Sequence, residues 1–131
     1  MTYYMAVTLD TDFDDAIERT EAALKLEGFG VLTRVDVQQT LKSKIDVDFR
    51  PYTILGACNP KLAHEALQLE DKVGTMLPCN VVVQQKEGGK VEVAAINPTA
   101  SMQAIDNPQL KKAAETVRDK LSRVIDSLAD S

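Results

Sequence analysis

The amino-acid sequence predicts an α+β domain: one mostly antiparallel sheet with helices packed on one face. Three observations lead there. Short apolar, partly β-branched runs alternate with stretches of helical periodicity in the order β-α-β-(short α)-β-α-β-β-α. Lys86-Glu87-Gly88-Gly89-Lys90 separates two of the apolar runs, and paired glycines supply the positive φ values that a tight hairpin needs. Asn-Pro occurs at 59–60, 97–98 and 107–108, a helix-start device in which Asn caps free N–H groups and Pro at the first helical position loses no bond. The first six main elements fit the split β-α-β plan of a ferredoxin-like variant, with a last strand and helix added.

Taken in order, Thr2–Leu9 reads as a strand ending at Asp10-Thr11-Asp12. A helix is expected from about Phe13 to Glu27, with Phe13, Ala16, Ile17, Thr20, Ala23 and Leu24 on one face. Asp12, Asp14 and Asp15 suit its positive N-terminal end, Thr11 with Asp14 forms a weak capping-box pattern, and Gly28 suits a left-handed terminus. Gly30–Val37 follows as a strand, then a turn or two of helix to Lys44, capped by Asp36 with Val37 and Leu41 inward. Ile45–Arg50 is an extended connection, and Arg50 before Pro51 keeps the chain extended into the next strand.

The stretch from Pro51 to Gln85 holds both cysteines, the single histidine and three of the five prolines. Tyr52–Ala57 reads as strand. A helix after Asn59-Pro60 carries Leu62, Ala66, Leu69 and Val73 on one face and ends at Gly74. Met76–Val83 restarts as strand. If this is a strand–helix–strand unit within one sheet, its strands are parallel. Cys58 and Cys79 then lie roughly 10–20 Å apart along the sheet, and no intramolecular disulfide is expected. In the last helix Leu110, Ala114, Val117, Leu121, Val124, Ile125 and Leu128 form one stripe, suited to packing on the sheet or to a dimer seam.

A chain of 131 residues suggests a single domain, 1–131, with a core that needs no staples. The net charge of −5 argues against a nucleic-acid partner, since a phosphate backbone calls for a basic surface. No apolar run of about 18 residues is present to span a membrane. The N-terminal stretch lacks a signal-peptide pattern. A cytoplasmic location and two reduced thiols are expected.

Arg50-Pro51-Tyr52, then Leu55-Gly56-Ala57-Cys58-Asn59-Pro60, Ala66-Leu67 and Leu77-Pro78-Cys79-Asn80-Val81-Val82-Val83 resemble the domain-of-unknown-function 302 family. The Val47-Asp48-Phe49 lead-in and Asn97-Pro98 fit as well, so the resemblance covers nearly the whole chain. It implies a small prokaryotic α+β domain with no agreed activity and a tendency to form homodimers. His64 is not part of that pattern.

The chemistry that these residues offer is limited. Cys58 precedes a helix N-terminus, where a thiol pKa falls and anions are held; a free cysteine at a strand end also serves as a small buried hydrophobe. Cys58, His64 and Cys79 make at most three metal ligands, too few for a structural zinc, and no cofactor or metal site is expected. No phosphate-binding loop, dinucleotide fingerprint, nucleophile elbow or HExxH helix occurs. The expected function is a non-enzymatic, dimeric binding module with a small pocket at the Cys58-Asn59-Pro60 corner. Arg50, Cys58, Asn59, Cys79 and Asn80 are its candidate ligand-binding residues, and Arg50 lends charge toward a small anionic ligand. The alternative is a thiol-dependent enzyme, or a redox or metal (haem, copper) sensor, acting through Cys58.

Overall fold

The structure, a computed structural model, describes residues 2–129. Five strands, β1 (Tyr4–Leu9), β2 (Gly30–Asp36), β3 (Tyr52–Cys58), β4 (Cys79–Gln85) and β5 (Val91–Ile96), form one sheet in the order β1-β5-β4-β3-β2. Every neighbouring pair is antiparallel. The helices are α1 (Phe13–Leu26), α2 (Val37–Ile45), α3 (Pro60–Leu69), the short α4 (Pro98–Ser101) and α5 (Pro108–Ala129). The α+β class and the order of elements follow the sequence reading, whereas two points of topology do not.

The first concerns the split β-α-β plan. β1 and β2 occupy opposite edges of the sheet instead of flanking one strand. Strands β2 to β5 form a meander, because consecutive antiparallel strands need only short links or a return at one sheet end. α1 must therefore carry the chain across the whole sheet. Because four antiparallel steps leave β1 and β2 pointing the same way, α1 (14 residues) with its flanking turns also returns the chain along the strands.

The second concerns the central unit. β3 and β4 are antiparallel neighbours, with Ala57 opposite Cys79 and Tyr52 opposite Gln84. The expected parallel pair is overturned. Residues 59–78 leave and re-enter the sheet at the same end, so α3 serves as a long hairpin connection. It stops at Leu69, short of Gly74, and a 3-10 turn over Asp71–Met76 buries Val73 completely. β4 starts at Cys79, later than expected, since Pro78 has no N–H to donate to a ladder.

The capping chemistry is largely as read. Asn59 accepts from Leu62 N at 3.3 Å, Asn97 from Thr99 N at 3.1 Å and Asn107 from Leu110 N at 3.1 Å. Asp36 caps α2 through Gln39 N at 2.9 Å. α1 is capped by Asp12, which accepts from Asp15 N at 2.8 Å; Thr11 instead donates its hydroxyl to Asp15 at 2.6 Å. Gly28, at φ 86°, closes α1 with Gly28 N and Phe29 N donating to Lys25 O and Leu24 O.

Strand alternation gives the sheet two unlike faces. Leu55, Ala57, Cys79, Val81, Val83, Val91, Val93 and Ala95 are buried with α1 and α5, while Val82, Ala94 and Ile54 point the other way and stay partly exposed. The α5 stripe is spent within the chain: Leu121, Val124, Ile125 and Leu128 are buried in this core, and Leu110 and Ala114 are buried nearer the start of the helix. It is not a free seam. A second cluster, with Ala66, Val73, Met102, Leu110 and Ala114, lies beneath α3 and α4. α2 contributes no buried residue, so the inward Val37 and Leu41 are only half-buried.

Gly56 is held to its side-chain-free state by its neighbours. A Cβ there would lie 2.1 Å from Thr33 Oγ1 and 2.8 Å from Pro78 Cγ. Gly56→Ala should lower unfolding stability by about 1–3 kcal/mol through overpacking, read as a lower denaturation midpoint with an unchanged slope.

Candidate functional site

The return of the chain between β3 and β4 creates a corner at one end of the sheet. A cavity of about 40 Å³ opens there, against the roughly 10–15 Å³ that a single water needs. Its walls come from three directions. Ala57, Cys58 and Asn59 end β3, Leu77, Pro78 and Cys79 lead into β4, and Met102, Leu110 and Ala114 come from the α4–α5 side. The cavity thus lies between the main core and the smaller cluster under α3.

Three of the expected site residues, Cys58, Asn59 and Cys79, line this space. Asn59 is committed to capping α3. The other two expected residues lie elsewhere. Asn80 pairs with Gly56 and alternates to the opposite, open face, where it shares a groove with Tyr52, Val82, Gln84 and Glu92. Arg50 precedes β3 at its far end, roughly 25 Å along the strand from Cys58. Its guanidinium stacks 4.4 Å from the Phe49 ring centre and 5.5 Å from that of Tyr52, and Nε donates to Gln84 at 3.0 Å. No side-chain cation therefore reaches the corner from Arg50. His64 is on the exposed side of α3 and does not line the cavity.

The two cysteines are neighbours, contrary to the expected 10–20 Å separation. Cys79 faces Ala57 across the ladder, which leaves the Cα atoms of Cys58 and Cys79 about 6 Å apart by strand geometry. Both are free thiols. Cys79 is 7% exposed. Burial, with a smaller contribution from Cys58 as a nearby negative charge, pushes its thiol up to about 11. Cys79 is therefore a neutral thiol at physiological pH and a poor nucleophile.

The cavity's walls hold no Asp, Glu, His, Lys or Arg. Among the described residues no three His, Cys, Asp or Glu side chains come together as a metal cage. The chemistry available is that of sulfur and of the α3 N-terminus. Sequence reasoning missed Met102 and the α5 alanines, because only the tertiary packing of α4 and α5 brings them to this corner. Asn97-Pro98 and Asn107-Pro108 marked where those helices start but not where they sit.

The family model described as domain of unknown function DUF302 matches residues 5–128. The crystal structure of an uncharacterized conserved DUF302 protein from Bacillus stearothermophilus is similar at 35% identity, covering 96% of this chain and 98% of that one, with a TM-score of 0.89. No curated protein matches significantly.

Two measurements check the thiol assignment. At pH 8, iodoacetamide should modify Cys58 and spare Cys79 in the folded chain, as read by peptide mass spectrometry. Because the folded Cys79 value lies above the unfolded one, its stabilising contribution is complete below about pH 8.5 and declines toward pH 11. That alkaline loss should flatten in Cys79→Ala.

Proposed function

The chain belongs to the DUF302 family, and from that premise we propose that it is a non-enzymatic binding module, a single domain over residues 1–131 that works as a homodimer and holds a small ligand at the Cys58-Asn59-Pro60 corner. The cavity shared by Cys58, Asn59 and Cys79 carries this assignment. Its walls offer no general acid or base beside the thiols, and burial keeps one of those thiols protonated. A group the size of the cavity would be enclosed by apolar side chains, as in most small-ligand sites. Any preference for negative charge comes from the α3 N-terminus, not from Arg50. No helix among the described residues is long and apolar enough to cross a membrane; the location we assign is cytoplasmic, where both thiols stay reduced.

Support for the dimer comes from the open sheet face. Val35, Ile54, Val82, Ala94 and Ala6 run side by side across all five strands. An antiparallel sheet with one solvated face usually alternates to polar residues there, and an apolar row of this length suits burial against a second copy. Sedimentation at micromolar concentration should show a species of twice the 14.4 kDa chain mass, and Val82→Arg should convert it to monomer. A wild-type chain sedimenting only as monomer would sink the dimer.

Ligand binding is tested by thermal shift with small apolar compounds. At 100 times its Kd a ligand adds about 2.7 kcal/mol, roughly 10 °C for a chain of this size. Ala113→Leu, which fills the cavity wall from α5, should abolish the shift without unfolding the protein.

A further inference from the structure

We propose that the corner cavity is a Cu(I) site built from Cys58, Cys79 and Met102. This deepens the assignment of the cavity as the ligand site and rests on it. Three sulfur-bearing side chains from separate elements line this one small space: Cys58 ends β3, Cys79 opens β4 and Met102 follows α4. No carboxylate, imidazole or amine shares it. Thiolate and thioether donors select Cu(I), a soft ion content with few ligands, whereas zinc in a structural site wants four. The space suffices, since about 40 Å³ exceeds the roughly 10–15 Å³ that one water needs and so admits an ion.

Loading balances without a redox step. Cu(I) displaces one proton from each thiol, forms two copper–sulfur bonds and accepts the Met102 thioether as a neutral donor; both protons leave to solvent. The resulting bis-thiolate centre carries one negative charge. It lies beside the N-terminus of α3, a 10-residue helix, whose dipole favours an anion. Loading releases a proton from each thiol, so affinity rises with pH.

The test uses the full-length chain, reduced and anaerobic, competing with bicinchoninate for Cu(I). The expected result is one Cu(I) retained per chain, with affinity rising between pH 6 and pH 9, and a sulfur-only shell by X-ray absorption. Cys58→Ser and Cys79→Ser should each weaken retention by at least the roughly 10–100-fold that loss of a supporting group costs. Met102→Leu, which keeps the apolar volume, should weaken it less, and His64→Ala not at all. Retention unchanged in Cys58→Ser, nitrogen or oxygen in the shell, or preference for zinc overturns the site; Cys58 is half-buried, so its variant decides even if Cys79→Ser fails to fold. Xenon, which enters apolar cavities, separates the two levels. A xenon-stabilised chain that ignores Cu(I) keeps the cavity as a ligand site and loses the copper, and a chain that takes neither loses both.

Discussion

The antiparallel pairing of β3 with β4, set by the register Ala57 opposite Cys79, is the constraint from which the rest of the molecule follows. It obliges residues 59–78 to return to the sheet end they left. A chain that turns back within so short a span must satisfy its N–H groups locally, and Asn59-Pro60 does so at once. The 3-10 turn then lets Val73 enter the smaller cluster before Pro78 leads into β4. The same return packs Pro78 against Gly56, where no side chain fits. The corner cavity is the seam where this returning segment meets α4 and α5.

Stability comes from the covered face of the sheet. Leu24, Leu55, Leu121, Val81, Val83, Val91 and Val93 are fully buried, and each side chain of this size is worth roughly 1.5–3 kcal/mol. The ion pairs lie on the surface. Arg123–Glu27 links α5 to α1 at 3.0 Å, and Arg34–Glu21 links β2 to α1. Exposed pairs of this kind contribute about 0–1 kcal/mol, so they orient the helices more than they hold them. α5 is anchored by its stripe, which is why the stripe is not free to bind a second copy.

The two faces of β3 and β4 divide the sequence motifs between two sites. Cys58 and Cys79 go to the corner, while Asn80, one residue on, goes to the open face with Tyr52 and Gln84. Motif proximity in sequence thus hides a separation through the thickness of the sheet. The corner is neutral and rich in sulfur. The open face is apolar along its middle row and polar or aromatic on either side, with Arg50 stacked at its edge.

Local physics determined much of this protein from its sequence alone. The three Asn-Pro starts, the Asp36 cap, the Gly28 terminus and the Gly88-Gly89 hairpin are each settled by a few adjacent residues, because capping and positive φ are properties of the residues themselves. The α5 stripe likewise announced a buried helix. What partner buried it was not legible, since an amphipathic face is the same whether it meets a sheet or another chain. Strand direction was also beyond the sequence: a strand–helix–strand pattern permits a crossover or a return, and the return goes with α3 packing against α5. That choice made neighbours of Cys58 and Cys79, sent Arg50 and Asn80 elsewhere, and brought Met102 to the corner, because contacts between residues far apart in the chain are decided by tertiary packing and not by spacing.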